Sequence, residues 1–279
     1  MRYEERVAEA GKIYAQPAKA GGAAPGEPFP DPPLQALAPE EFLDRLTEAA
    51  FRHHVKLRHP FAVRLALGQW TTRQLQEWVR QDYQRIVALI RRHALLAGNA
   101  ADYEIVWGLL TRVKIEADAD PVGGTFFALP QLWVKFGIAL GLAREEIVEF
   151  RPHPVLGLFN EALVSEARLA AALPVRELVD ASLDPVFYRV WGEALQRSLG
   201  LPQDAFDFFR AIAADRWGEE TGRAVLRQGF GRQAGSREEQ AALWNQYRAE
   251  MEADREWHRL SFLQTILESA AHRRGRRGE

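Results

Sequence analysis

The stretch TTRQLQEWVRQDYQRIVALIRRHALLAG, residues 71–98, decides the fold class. Thr71 or Thr72 supplies an N-cap, and Leu75, Val79, Ile86 and Ile90 recur at helical spacing. No proline or glycine interrupts the run before Gly98, so it predicts one long amphipathic helix. Asp82, Ile86, Ile90 and His93 fall on one narrow stripe of that helix. Asp82 and His93 are therefore polar groups on an apolar face, roughly 16 Å apart along the axis. Each is free to meet a neighbouring helix, either as a hydrogen-bonded core residue or as part of a site.

The same pattern extends outward. Pro39-Glu40-Glu41 opens a helix over roughly 39–57, and a short helical piece follows Pro60 and runs to Leu67. Further helices fit 101–119, 125–142, 155–172, 175–199, 204–227 and 237–271. Predicted breaks include the Gly123-Gly124 turn, Pro174, Gly200-Leu201-Pro202 and Gly229-Phe230-Gly231. Alternating β patterns are missing. The expected fold is all-α, a single helical bundle over 39–271, which places a ligand site in the core among facing helices. Residues 1–38, rich in Pro and Gly around 21–33, predict an extended arm, either mobile and disordered or laid over the bundle and pinned there by Phe29 and Leu34. The basic residues 272–279 predict a disordered tail.

Composition narrows the function classes. The chain has 279 residues, 36 basic and 38 acidic side chains and a formal net charge of -2, which argues against a nucleic-acid binder. Cysteine is absent, so disulfides, thiolate metal sites and a Cys nucleophile are excluded. No apolar run reaches membrane-spanning length and the N-terminus lacks a secretory pattern, so the expectation is a cytoplasmic protein without membrane contact.

Other polar residues share faces with apolar ones. On the last helix, Asp254 and His258 are i,i+4 neighbours, the spacing at which a carboxylate orients an imidazole as half of a general-base arrangement, or makes an ordinary ion pair. Asp215 and Glu219 are also i,i+4, which suits a shared proton, a metal, or neutralisation by Arg216 and Arg223. His53 and His54 point in different directions, and no H-x-x-x-H spacing occurs anywhere.

Two segments carry a family resemblance. His59-Pro60-Phe61, Gly68, Gln74-Leu75-Gln76-Glu77-Trp78-Val79 and Ile90-Arg91-Arg92-His93-Ala94 form the first. Gly123-Gly124 followed by Leu132-Trp133 through Glu145-Glu146 forms the second. Together they resemble the pyrroloquinoline-quinone synthase branch of the TENA/THI-4 superfamily over about 55–150. The resemblance implies a heme-oxygenase-like bundle around a central pocket, commonly in a homodimer or tetramer. It also implies one of three activities: hydrolysis of aminopyrimidines with a Cys nucleophile, cofactor-free oxidation of a quinone precursor with oxygen, or oxygen activation at a two-metal site.

The chain departs from each pattern. The missing cysteine removes the thiaminase mechanism. The two-metal branch is matched by His93 and Asp215, but Ile86, Ala211 and Gly218 stand where it has further ligands. The quinone-synthase branch is matched at His59 and Arg92, whereas Phe208 and Ile212 stand at its late-helix Tyr and Arg.

The resemblance thus implies a metal-independent oxidoreductase acting on a small aromatic or heterocyclic substrate. His59 and His258 are the candidate proton-transfer groups with Asp254 as orienter. Arg92, His93, Tyr83 and Asp82 are candidate substrate-binding residues, and no cofactor is expected. The alternatives are a non-catalytic small-molecule-binding member and, third, an iron or manganese enzyme using Glu116, His93, Asp215 and Glu219.

Overall fold

A computed structural model describes residues 2–15, 29–118, 128–169, 175–214 and 222–275. Among them every regular element is helical. The chain begins with α1 (Tyr3–Ala15), α2 (Pro39–His53), α3 (Val55–Arg58) and α4 (Pro60–Ala66). The long helix α5 (Thr72–Asn99) follows, then α6 (Tyr103–Asp118), α7 (Leu129–Ala139), α8 (Glu145–Val148) and α9 (Pro154–Leu169). Helix α10 (Val175–Leu199) leads through a 3-10 turn (Gln203–Phe206) into α11 (Asp207–Ala213), α12 (Gly222–Gln233) and α13 (Arg237–Gly275).

Helix α5 starts with a reciprocal capping box. The Thr71 hydroxyl accepts from the Gln74 N–H at 3.2 Å, and the Gln74 side chain accepts from the Thr71 N–H at 3.1 Å. Its apolar stripe is buried, and α6, α7, α8, α9 and α13 pack around it. Helix α10 is the second hub, packed by α1, α2, α4, α11, α12 and α13. Trp78, Trp133, Phe136, Phe208 and Phe209 fill the space beside α5 in edge and tilted contacts 4.5–6.3 Å between centroids. Packing of this kind adds about 0.5–1.5 kcal/mol per pair beyond area burial.

The expected helix over 39–57 is in fact two. His54 is extended (ψ 134°), and its Nδ1 accepts the Lys56 N–H at 3.1 Å, so it ends α2 and caps α3. His59 repeats the device, its Nδ1 accepting the Phe61 N–H at 3.2 Å to cap α4. The expected break at Gly229-Phe230-Gly231 does not occur, because α12 runs through it. Gly229 is there for close approach: a Cβ would stand 2.7 Å from Ile105 Cγ1 on α6. Gly229→Ala is expected to cost about 1–3 kcal/mol by overpacking, read as a lowered Tm with unchanged helix content.

The arm is only partly extended. Residues 3–15 form a helix instead, since Pro and Gly are dense only beyond it, and Arg6, Ala10 and Tyr14 bury one face. Residues 16–28 lie outside the described residues. Beyond them Phe29 lodges against His53, Trp244 and Tyr247, and Trp244 Nε1 donates to the Pro30 carbonyl at 2.7 Å. Gln240 accepts from the Leu37 N–H at 3.0 Å and donates to its carbonyl at 2.7 Å, whereas Leu34 is 85% exposed and pins nothing. At the other end, α13 continues to Gly275, past the predicted start of the tail.

Candidate active site

A cavity with about 1210 Å³ of empty space, part of it open to solvent, lies between α5, α10 and α13, with α6 and α11 at its sides. Phe61, Trp78, Tyr188, Trp191, Phe208 and Trp257 form its aromatic walls. Its aromatic lining suits a small planar ligand.

The polar lining is organised as two buried ionic clusters. In the first, His93 Nδ1 is 2.8 Å from Glu116 and His93 Nε2 is 2.8 Å from Glu177. Arg92 pairs with Glu177, and Arg112 pairs with Glu116 at 3.1 Å. Burial lowers the His93 pKa while the Glu116 carboxylate pulls it back up. Burial would raise Glu116, but His93 and Arg112 hold it below the ordinary carboxylate range. Burial and the nearby Arg176 bring Arg92 down to about 10.

In the second cluster, Asp254 accepts from Arg85 at 2.6 Å and from Arg176 at 3.0 Å. Arg176 also holds Asp180 at 2.7 Å, and Lys56 pairs with Asp184. The Arg85 guanidinium carbon lies over the Trp257 ring, 3.9 Å from its centroid. Against the cost of burial, Arg176 and Arg85 keep Asp254 well below its usual pKa.

Asp82 is the exception. It lines the cavity at 6% exposure, makes no ion pair within 4 Å among those described, and its Oδ1 has no hydrogen-bond partner. Burial raises its pKa to about 6, with Arg85 and Lys56 pulling the other way. Trp257 Nε1 is likewise buried without an acceptor.

The residues singled out in the sequence separate here. Asp82, Arg92, His93, Glu116 and His258 line the cavity; His59 and Tyr83 do not. Asp254 lies just behind the wall, and its carboxylate does not orient His258. The His258 Nδ1–H donates to the Asp254 main-chain carbonyl at 2.8 Å, while the carboxylate, 3.8 Å away, is taken by the two arginines. That bond leaves His258 Nε2 as an acceptor, and burial pushes the ring down to about 3. His59 is half-buried with its ring centroid 5.9 Å from that of His258, and burial and Arg255 lower it to about 4. Asp215 and Glu219 fall outside the described residues. Sequence reasoning missed Lys56, Arg85, Arg112, Arg176, Glu177, Asp180 and Asp184.

Because His258 binds its proton less readily folded than unfolded, its own contribution to stability is full above pH 6.5 and is lost as acid is added toward pH 3. A His258→Gln variant is expected to show an acid limb flatter by up to about 1.4 kcal/mol per pH unit in that window, measured by urea titration at stepped pH.

Of the four candidate metal ligands, the described residues include only His93 and Glu116, since Asp215 and Glu219 lie outside them. Glu116 and Glu177 meet His93 at its two different ring nitrogens, so these three do not converge on one point. Among the described residues no group of three or more His, Asp or Glu is arranged to hold a metal.

The TENA/THI-4/PQQC family pattern matches residues 45–203, more than half of the chain. The chain belongs to the TENA/THI-4/PQQC family. The pyrroloquinoline-quinone synthase of Acinetobacter baumannii (strain AYE) is 28% identical over 154 residues, 55% of this chain and 58% of that protein. The enzyme of the same name from Cronobacter sakazakii is 25% identical over 182 residues, 63% of this chain and 68% of that protein. The chain thus spans 58% of the length of the Acinetobacter relatives it matches.

Two solved structures show the fold. A TenA homologue from P. horikoshii OT3 has a TM-score of 0.54 at 17% identity, covering 82% of this chain and all of that one. A heme oxygenase-like domain from Shewanella denitrificans OS217 has a TM-score of 0.59 at 13% identity, covering 82% and 93%. The family match takes in α3 to α10, and with them Asp82, both walls carrying the ionic clusters and most of the aromatic lining. His258 and Asp254 on α13 lie beyond it. Among the described residues no helix is long and apolar enough to cross a membrane.

Proposed function

We propose that this family member is a metal-independent oxidoreductase that oxidises a small aromatic nitrogen compound with molecular oxygen. One observation carries the reading: a buried carboxylate, Asp82, whose Oδ1 has no hydrogen-bond partner, on the wall of an aromatic cavity where burial raises its pKa to about 6. A general base works best with a pKa near the working pH. Asp82 meets that condition, whereas His258, at about 3, is too weakly basic and acts as a hydrogen-bond acceptor through Nε2.

Asp82 Oδ1 accepts from a ligand N–H while the ring lies among Trp78, Tyr188 and Trp257. The cavity cations Lys56, Arg85, Arg92, Arg112 and Arg176 are each already held by a carboxylate, so a carboxylated substrate finds none of them unpaired. Asp82 takes the first proton and leaves an electron-rich anion. That anion passes two electrons to oxygen, and the overall reaction is SH2 + O2 → S + H2O2, with both substrate protons ending on peroxide. The apolar walls exclude water that would otherwise solvate the anion.

The test is oxygen uptake and peroxide yield with electron-rich aminoquinolines and hydroxyindoles, beside their carboxylated counterparts. Equimolar peroxide from a nitrogen-bearing compound, lowered about 10²–10⁴-fold by Asp82→Asn, is the expected result. Tight binding without oxygen uptake would instead identify a ligand-binding member that keeps the pocket and lacks the chemistry. The weak basicity of His258 favours that second reading.

A further inference from the structure

Helix α1 lies outside the family match at residues 45–203, yet its buried face reaches the back of the cavity wall. Tyr14, 3% exposed, sits between two cavity-lining residues. Its hydroxyl donates to the Lys56 carbonyl at 2.5 Å and accepts from Trp191 Nε1 at 3.2 Å. One hydroxyl therefore ties α3 to α10 from outside the cavity. Both of its bonds are buried, and each carries the full desolvation penalty if broken.

The same helix supports α10 at its weak point. Pro185 lies inside α10, lacks an N–H, and leaves the Ala181 carbonyl without its usual helix partner, with both residues on the cavity wall. The Tyr3 hydroxyl meets the Pro185 carbonyl at 3.4 Å and the Ala213 carbonyl at 3.2 Å. Glu4 pairs with Arg189 at 2.9 Å. Contacts from α1 thus bracket the turn of α10 that presents Asp184 and Tyr188.

We propose that α1 is a brace for the cavity and that Tyr14 is a positioning residue, fixing Lys56 and Trp191 so that the Lys56 ammonium meets Asp184 over the Tyr188 ring. The ammonium lies 5.4 Å from that ring's centroid. A displaced Lys56 backbone would carry the ammonium away from Asp184, changing the charge that faces Asp82. The proposal does not depend on whether the cavity performs oxidation.

The chain has only five lysines, at 12, 19, 56, 114 and 135, so the full-length protein labelled at lysine Cε gives a readable set of signals. Tyr14→Phe keeps the ring and removes both hydrogen bonds. It is expected to shift the Lys56 signal, assigned through Lys56→Arg, together with the Trp191 indole N–H, and to leave the other four lysines in place. Trp191→Phe, which keeps the Tyr14–Lys56 bond, is expected to leave the Lys56 signal largely unmoved. A Trp191 shift in Tyr14→Phe with Lys56 unmoved would overturn the proposal and reduce Tyr14 to a packing anchor. Should Tyr14→Phe fail to fold, the wild-type protein decides. Its Tyr14 hydroxyl proton must exchange slowly and show a cross-peak to the Trp191 indole proton, and an exchange-broadened hydroxyl without that cross-peak would contradict the brace.

Discussion

Asp82→Asn is expected to make the ligand-free protein more stable above pH 6 while destroying its ligand affinity. The sign follows from linkage. The Asp82 pKa is raised on folding from 3.8 to about 6, so the folded state binds the proton more tightly. Its carboxyl therefore favours folding in acid, and that advantage is lost as pH rises from 3.8 through 6. Above pH 6 the carboxylate is a full liability, on the order of 3 kcal/mol for a shift of about two pH units. An amide fills the same space without a charge. Urea unfolding at pH 7.5 should give a higher midpoint for the variant, and the advantage should vanish near pH 3.5. A lower midpoint at pH 7.5 would mean that Asp82 is paired in the folded protein. Groups retained at a stability cost are characteristic of binding and catalytic sites.

Glu177→Ala has the opposite expectation, a loss of about 3–5 kcal/mol. Glu177 is 3% exposed, Arg92 pairs with it, and His93 Nε2 lies at 2.8 Å. Removing it leaves the Arg92 guanidinium buried, with the half-exposed Glu166 at 3.7 Å as its one remaining ion pair among the described residues. The comparison variant is Glu166→Ala, which removes a half-exposed carboxylate at the longer distance of 3.7 Å and is expected to cost about 1 kcal/mol. Thermal unfolding of the two separates the buried cluster from surface charge. Equal, small effects would show that water reaches Arg92.

The long helices were legible because their apolar residues keep helical spacing, and 71–98 shows this with its cap and uninterrupted stripe. Asp82 and His93 were legible for the same reason, as polar residues on an apolar face. Helix α10 hid its contribution. Glu177, Asp180, Asp184, Tyr188 and Trp191 recur at three- and four-residue spacing, but charged residues also occupy its other faces, and Pro185 interrupts the run. A polar stripe in register with Ala181 and Trp191 was the available signal.

The pairing of Asp254 was not readable at all. Its i,i+4 neighbour His258 was visible, while its actual partners, Arg85 and Arg176, come from helices far away in sequence. Histidine caps at His54 and His59 also escaped, because Ser, Thr, Asp and Asn are the usual caps. At the N-terminus, the glycines and prolines beyond residue 16 coloured the reading of a segment that is helical before them.

The most direct test of the account is native mass spectrometry of the full-length protein purified from its own host, wild type beside Asp82→Asn. The account predicts that the wild type retains a small aromatic compound bearing a nitrogen donor and that the variant, equally folded, arrives empty. The same ligand on both proteins, or a retained polycarboxylate, would contradict the assignment of Asp82 as the group that holds the substrate.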